Sequence, residues 1–394
     1  MITSGEFNNY RESFNEPKSM QQAREKAFSL FTKSKLPSFK YGLNISIRPK
    51  SFDLKKLPLN KTPTPKVMID IQNQKGINYF QGRNRGKEHE DRINEFLGDD
   101  WKTKEDDHQL YHFHHAFVND FLCIHLEKDT ELKHPIRITY DIEKGPVITN
   151  IFIKAEKGAK ATILLEKKGD EVEYVGEEIR VIAEPQSKVD IVSFQNLSKE
   201  TINIQRRKAK TQNEARVDII DVMLGSSFTK NDVTSILKGQ GSYGEIVGVF
   251  LASDQQRLDI STSSIHEGKA TVSDIVTKGV ITDEAKALSR GLVKINENAS
   301  EANGYEQQDA LLLSEKAEAD AIPNLEINNN DVKCSHGSTI GQINKEQLFY
   351  LQTRGLTKKQ AEKKIVEGYF SPIIAKFKNK VIQENVEKAI AKAL

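Results

Sequence analysis

A cysteine and a histidine lie two residues apart near the end of the chain, as Cys334 and His336 in the segment 333–341. Thiolate and imidazole are both good ligands for a transition metal such as iron. In a strand, residues two apart point to the same face, so the two side chains would project together. One cysteine and one histidine fill at most half of a four-coordinate site. The segment therefore predicts half of a metal site, with further ligands from elsewhere, including another chain.

The same residues also fit an interpretation without metal. Cys334 would then be a small buried hydrophobe and His336 a hydrogen-bonded side chain at a tight corner. In either interpretation Gly337, which follows directly, would let the backbone turn. Spacing alone leaves both interpretations open.

The densest group of histidines lies at 108–115. In a strand, His112 and His114 would share one face and could chelate an ion. No carboxylate or cysteine falls at ligand spacing on the same element, so we favour a partly exposed, histidine-rich strand without metal. Cys123, which has apolar residues on both sides, is predicted to be buried as a small hydrophobe.

Three other chemistries find little support. No GxxxxGK[ST] loop is present, and the GxGxxG match at 239–244 lies between two predicted strands without a following helix, so it indicates a turn. A polysaccharide-cleaving enzyme needs paired carboxylates on one face, whereas Asp218 and Asp221 are three apart and face opposite ways in a strand. The net charge of +2 gives no case for nucleic-acid binding.

Cysteine content and hydropathy indicate a cytoplasmic protein that does not bind a membrane. Two cysteines in 394 residues do not make a disulfide framework, so both are expected to be reduced thiols. We expect no signal peptide, and no apolar run reaches membrane-spanning length. Residues 1–66 carry 13 Lys and Arg against 5 Asp and Glu, and residues 345–394 carry 11 against 5. These basic ends either orient a partner or are ordinary solvated surface.

Between residues 121 and 343 the sequence alternates short strands with turns rich in Gly, Asn, Ser and Lys. Similar segments recur every 26–29 residues, judged from five points taken as equivalent: Ala161, Val189, Val217, Ile246 and Val272. This spacing is too short for a propeller blade and suits a β-solenoid, in which each coil buries its inward residues against its neighbours. Helical crossovers are missing, which argues against a doubly wound α/β sheet. An irregular antiparallel sandwich is the alternative.

Helical patterns flank this strand-rich part. Residues 10–40 carry apolar side chains at helical spacing, a proline-spaced linker follows at 61–65, and three helices are predicted in the last fifty residues. The C-terminal helices would either pack on the end of the solenoid as a cap or present a docking face. The chain thus divides into an N-terminal helical or mixed domain, a β-helix core and a C-terminal helical module: 1–120, 121–343 and 344–394.

Several segments together resemble the SufB/SufD family of iron–sulfur cluster assembly proteins. They lie within residues 117–370: KTQNEAR at 210–216, KGV at 278–280, QDALLL at 308–313, PNLEI at 323–327, DVKCSHGSTIG at 331–341 and QLFYL at 347–351. SufB proteins carry a cysteine where this chain has Gln308, and a Glu-His-Glu run where it has Cys334-Ser335-His336, so the resemblance is to the SufD branch. It implies a right-handed parallel β-helix core between helical terminal domains.

The resemblance also implies a role. The chain would be a core subunit, without ATPase or other enzymatic activity, of a SUF-type machine that builds and releases nascent iron–sulfur clusters. It would pair with a SufB-type subunit through the β-helix and anchor a SufC-type ATPase with its C-terminal helices.

For the site, the resemblance implies that His336 stands where SufD members have a histidine implicated in cluster formation at the SufB–SufD interface, accompanied by Cys334. Iron or a nascent cluster would be held transiently in the complex, and the isolated chain would carry no cofactor. The alternative is a purely structural, homodimeric β-helix scaffold without direct metal binding.

Overall fold

The computed structural model describes residues 2–14, 16–34, 54, 57, 66–81, 91, 104–105, 107–143, 145–169, 171–375 and 380–393. The linker predicted at 61–65 lies outside these residues. None of the described helices is long and apolar enough to cross a membrane.

Helices occur at both ends of the described chain. Their bounds, from α1 to α6, are Ser4–Glu12, Lys18–Lys33, Gln109–Phe117, Lys345–Thr353, Lys358–Ala375 and Lys380–Ala393. The helix predicted over 10–40 is in fact split between α1 and α2. Pro17 directly precedes α2, and a proline inside a continuing helix would remove a hydrogen bond and clash with the preceding turn. The start of α1 is fixed by a capping box, in which the Thr3 hydroxyl accepts from the Glu6 N–H and the Glu6 carboxylate accepts from the Thr3 N–H.

Strands fill most of the region between α3 and α4. The described residues form eighteen strands, β1 to β18: Lys66–Asp70, Ile77–Gln81, Asp120–Leu126, Ile136–Asp141, Val147–Ala155, Lys160–Gly169, Tyr174–Ala183, Lys188–Leu197, Ile202–Thr211, Arg216–Gly225, Phe228–Leu237, Tyr243–Ala252, Arg257–His266, Val272–Ile281, Lys286–Ile295, Asn303–Leu312, Glu318–Ile327 and Lys333–Gln342.

These strands form two nine-stranded sheets. Sheet A has the order β1-β4-β6-β8-β10-β12-β14-β16-β18, and sheet B has the order β2-β3-β5-β7-β9-β11-β13-β15-β17. From β3 onward, successive strands alternate between the sheets and all neighbouring strands are parallel. Among the described strands, only β1 and β2 join their sheets antiparallel. A chain that winds this way is a parallel β-solenoid, so the predicted fold class is confirmed and the sandwich alternative is wrong.

The repeat predicted from spacing is nearly in register with the structure. Val189 pairs with both Ala161 and Val217, as predicted. The next true equivalents are Gly244 and Ser273, so Ile246 and Val272 were misplaced by two residues and one residue. The error arose because glycine and serine carry no β-branched signal at those inward positions.

A column of isoleucines runs through the interior of the solenoid. Its members occupy the same inward position on successive strands of sheet A, and each is at most 1% exposed: Ile136, Ile163, Ile191, Ile219, Ile246 and Ile275. Full burial of one such side chain contributes about 1.5–3 kcal/mol. At the two final rungs the same position is held by Glu306 and His336. The apolar column therefore gives way to polar side chains at the end of the solenoid.

The helices cover the outer faces of the two sheets. Helices α1 to α3 form an aromatic-rich cluster on sheet B, together with Phe152, Tyr174 and Phe228. Helices α5 and α6 pack Phe370 and Ile390 against the valines of sheet A. Of the two placements predicted for the C-terminal helices, a cap on the solenoid end or a docking face, the cap is wrong, because α5 and α6 lie along the side.

A buried ion pair joins α2 to the start of the solenoid. The Arg24 guanidinium donates to both carboxylate oxygens of Glu16 at 2.8 Å, and to the carbonyl oxygens of Ala116 and Val118 at 2.8 and 2.7 Å. Both charged side chains are almost fully buried. The N-terminal helices are therefore fastened to the α3–β3 connection by charge as well as by aromatic packing.

Replacing Arg24 with methionine is expected to cost about 3–5 kcal/mol of unfolding free energy, because it leaves the Glu16 carboxylate buried without a counter-ion. Urea unfolding followed by circular dichroism measures the change. Arg11→Met is the control, since the partner of Arg11, Glu25, is half exposed and such pairs are worth about 0–1 kcal/mol. Equal losses in the two variants would contradict the assignment.

Candidate metal centre

Cys334 and His336 lie together on β18, the last strand of the solenoid. Being two apart in a regular strand, they face the same side, and they pair with Gly304 and Glu306 of β16. The strand continues to Gln342, so the prediction that the backbone turns at Gly337 is wrong, and so is the tight corner.

Gly337 is needed for a different reason. Its outward-facing position is covered by the side chain of Gln307, whose Oε1 lies only 2.6 Å from where a β-carbon would be. The glycine therefore makes room for Gln307, which also donates to Asp309 at 2.6 Å.

Cys334 is partly buried against the interior cluster. Gly304 opens a space opposite it: a β-carbon there would lie 3.3 Å from the Cys334 Sγ and 3.5 Å from the His266 Nε2. Burial raises the pKa of the Cys334 thiol, and the nearby Glu306 carboxylate raises it further. A metal ion would have to displace this proton to bind. His336, in contrast, is exposed.

His266 lies beside this site, and two hydrogen bonds hold its ring in place. Its Nδ1 is hydrogen-bonded to the Thr271 hydroxyl at 2.8 Å, and its Nε2 to the Ser273 hydroxyl at 2.9 Å. Burial lowers the pKa of His266 to about 4, so the ring is neutral at pH 7. With both ring nitrogens engaged, it is not available as a ligand.

Glu306 is a site residue that sequence reasoning missed. Its side chain is fully buried, and burial raises the pKa of the carboxyl to about 7. Gln308 Nε2 donates to its Oε1 at 2.5 Å. The signal that could have revealed it was the column of inward isoleucines, which Glu306 interrupts; the misplaced repeat points hid that column.

Gln308 lies on the same inward face of β16. Its side chain is 1% exposed, and it pairs with Ser338 on β18. By the resemblance, SufB proteins carry a cysteine at this position. The side chain at this position therefore points into the solenoid, on the strand next to the final strand β18. This chain presents an amide there.

In the part of the chain that the structure describes, no three His, Cys, Asp or Glu side chains are gathered to hold a metal ion. Cys334 and His336 supply one soft sulfur and one nitrogen donor at an end of the solenoid that no described strand continues. That the two bind metal stays a prediction.

The histidine-rich run forms helix α3, so the predicted strand is wrong. Apolar residues spaced three and four apart, Leu110, Phe113 and Phe117, put one face of the helix in the aromatic cluster. His112, His114 and His115 are buried rather than partly exposed. His114 is hydrogen-bonded to Asn150 Oδ1 at 2.6 Å, and His115 Nε2 lies 3.3 Å from Glu178 Oε2. These rings connect α3 to sheet B.

Three further predictions are confirmed. Cys123 is buried, with 1% exposure. The glycine-rich run 239–244 crosses from β11 to β12 as a turn, with Gly241 in the left-handed region at φ 67°. Asp218 and Asp221 face opposite ways: the former pairs with Arg216, and the latter lies inside the solenoid 2.8 Å from Arg207.

Comparison with known proteins agrees with this architecture. Residues 138–369 match the family model described as "SUF system FeS cluster assembly, SufBD core domain". The chain belongs to this SufBD core family. Its role is accordingly in SUF-type iron–sulfur cluster assembly, and the resemblance noted from the sequence is confirmed.

Individual relatives place it nearer to SufD. It is 28% identical to the iron–sulfur cluster assembly protein SufD of Bacillus subtilis over 85% of this chain and 77% of that protein. It is 31% identical to SufB of the same organism over 46% of this chain and 39% of that protein. It is also 30% identical to an iron–sulfur cluster assembly SufBD family protein of Mycobacterium bovis, over 50% of this chain but only 23% of that longer protein.

Acidification from pH 7.5 to 5 is expected to destabilise the N-terminal helices. Burial lowers the pKa of His115 from its ordinary 6.5 to about 3, so the unfolded chain binds this proton more tightly. The stability that this pKa shift of His115 gives the folded state is complete above about pH 6.5 and is lost as the pH falls below that value. This residue alone accounts for about 2 kcal/mol over the interval.

Unfolding free energies measured at both pH values check this expectation. His115→Gln removes the titrating ring and must reduce the loss of stability on acidification by about 2 kcal/mol, and His134→Gln, at an exposed position, is the matched control. An equally steep dependence in the His115 variant would contradict the assignment.

Proposed function

We propose that this chain is a non-enzymatic core subunit of a cytoplasmic SUF-type iron–sulfur cluster assembly machine. It pairs with a SufB-type subunit at the open end of the solenoid and carries a SufC-type ATPase on its C-terminal helices. The observation that carries the proposal is the position of Cys334 and His336, a sulfur and a nitrogen donor on the strand where the solenoid ends.

The open end supports pairing with another subunit. Strands β17 and β18 end their sheets, and no described strand pairs with their outer edges. Each edge offers a row of backbone N–H and C=O groups, which is a template for another strand. Ile327 and Ile340, on these two strands, are 44% and 43% exposed. A SufB-type subunit that adds its own terminal strands here would bring its ligands next to Cys334 and His336.

The chemistry proposed at this junction is ligand exchange. Cys334 and His336 would hold iron or a nascent cluster together with donors from the partner. This chain supplies one thiolate, against the four of a full cysteine set, which suits a cluster that must leave. In this proposal the cluster is cargo, and the isolated chain retains no cofactor.

The C-terminal helices support the attachment of an ATPase. Helices α5 and α6 are held on sheet A by apolar packing, and the Lys278 ammonium lies 4.4 Å from the centre of the Tyr369 ring. Helix α4 buries no side chain, and it leaves Phe349 and Tyr350 68% and 56% exposed. Adjacent exposed aromatic residues are typical anchors of protein interfaces.

His336→Ala is expected to lower the iron and acid-labile sulfide retained by the anaerobically assembled complex. Loss of groups that merely support a metal ligand already costs about 10–100-fold in affinity, so loss of a ligand should cost at least about tenfold. His134→Ala, an exposed histidine outside the site, is the matched control. Undiminished loading in the His336 variant would refute its role.

The double substitution Phe349→Ser and Tyr350→Ser is expected to weaken ATPase binding about tenfold or more, because truncating an interface aromatic commonly costs over about 1 kcal/mol. Binding is measured with the purified ATPase by calorimetry. Substitution is a cleaner test than deletion of the helices, which would expose the apolar face of sheet A. Tyr79→Ser, which removes a 43% exposed aromatic from β2, is the control. Unchanged affinity in the double variant would exclude this docking surface.

The second candidate is a structural, homodimeric scaffold that completes the core without touching metal. The specific observation in its favour is that the described residues gather no three potential ligands. Iron content of the anaerobic complex with and without Cys334→Ser separates the two functions. Equal iron in both would favour the scaffold.

A further inference from the structure

The interior column of sheet A contains one position that departs from its pattern inside the solenoid. Six successive rungs place isoleucine there, and the seventh places Glu306, which is 0% exposed. Burying a carboxylate in place of an isoleucine is unfavourable unless it has partners. Such a residue raises the question of what the carboxylate binds.

The surrounding backbone is shaped to accept this side chain. A β-carbon at Gly291, on the opposite strand β15, would lie 1.2 Å from the Glu306 Oε1 and 2.6 Å from the Gln308 Nε2. Glycine at 291 therefore leaves the space that both side chains fill. The Glu306 carboxylate therefore occupies a recess that Gly291 leaves in the opposite sheet.

Hydrogen bonding to the carboxylate is incomplete. Gln308 donates to Glu306 Oε1, but Oε2 has no hydrogen-bond partner among the described residues. Other buried oxygens on the inward faces of β14, β15 and β16 also have none: Thr277 Oγ1, Ser289 Oγ and Gln308 Oε1. The inner side of the open end therefore carries oxygen donors without partners, one of them on a carboxylate.

This group adjoins the two predicted ligands. Glu306 pairs directly with His336 across neighbouring strands, and Cys334 stands two residues along on the same face. Paired positions on neighbouring strands are about 5 Å apart, which is within chelating reach of these side chains. In the described structure the three side chains are not gathered around one point. His336 is exposed and Cys334 only partly buried, so a bound ion can draw both side chains toward the carboxylate.

We propose that the Glu306 carboxylate is a third ligand, supplied by this chain, for the divalent iron that Cys334 and His336 receive. The inference rests on the proposed function and names the donor set of that site: one sulfur, one nitrogen and one oxygen. Carboxylate and imidazole suit ferrous iron, whereas thiolate suits iron in clusters. The mixed set therefore allows the same rung to take up the free ion and to release it into a cluster held partly by the partner.

The test is a titration of the reduced, full-length chain with Co²⁺ under anaerobic conditions, read by the thiolate-to-metal absorption band and by calorimetry. Glu306→Gln keeps the shape and the hydrogen-bonding neighbour but removes the charged donor, so Co²⁺ affinity is expected to fall at least about tenfold. The thiolate band should persist at saturation, because Cys334 is retained. Glu326→Gln, on the exposed surface of the same end, is the matched control and should bind as the unaltered chain does.

A second variant tests whether a loss of Co²⁺ binding comes from misfolding rather than from loss of a ligand. Glu306→Ile continues the isoleucine column and removes a buried carboxylate, so it is expected to fold; it must lose Co²⁺ affinity as the glutamine variant does. If His336→Ala and Cys334→Ser weaken binding but both Glu306 variants bind normally, Glu306 is not a ligand and the proposed function stands. If the unaltered chain shows no thiolate band at any Co²⁺ concentration, the three-donor site is refuted, while partner binding and cluster loading still test the proposed function.

Discussion

The constraint on which the structure depends is the in-register stacking of parallel strands. Each inward position of one coil lies directly against the equivalent position of the coils before and after it, as Ile191 does between Ile163 and Ile219. A narrow interior can then be dry and close-packed only if every coil supplies a matching side chain. A departure in one coil must be accommodated by the strand opposite or by the next coil. The recess at Gly291 that receives Glu306 is an accommodation of this kind.

Stacking also explains why the candidate site lies at the end. Inside the solenoid each strand edge is paired and each inward side chain is covered by the next coil. At β17 and β18 both conditions fail together within the described residues, so unpaired backbone and partly exposed inward side chains occur on the same rung. A donor placed there is held by a rigid sheet on one side and is accessible on the other. Cys334 and His336 satisfy this geometry without any loop having to position them.

The same stacking explains how much of the fold could be predicted from the sequence. The repeat spacing predicted the solenoid because the matching inward residues are mostly β-branched, and the pairing of Val189 with Ala161 and Val217 was read correctly. Prediction failed where tertiary contacts, rather than the local sequence pattern, decide the structure. Residues 108–115 have the composition of a strand or a helix, and their aromatic contacts with α1 and α2 decide for the helix. The role of Gly337 depends on Gln307, a side chain thirty residues earlier, and could not be read locally.

Buried charge by itself does not mark a functional residue in this interior. Nearer the middle of the solenoid, Glu177 lies 2.9 Å from both Lys167 and Arg207, and Arg207 lies 2.8 Å from Asp221. Two positive and two negative groups there neutralise one another, which offsets much of the cost of removing them from water. Glu306 differs because, among the described residues, no Lys or Arg side chain forms an ion pair with it and only the Gln308 amide donates to it. This buried carboxyl, without a charged partner in the described structure and one rung from a cysteine and a histidine at an open end, is where we propose that iron binds.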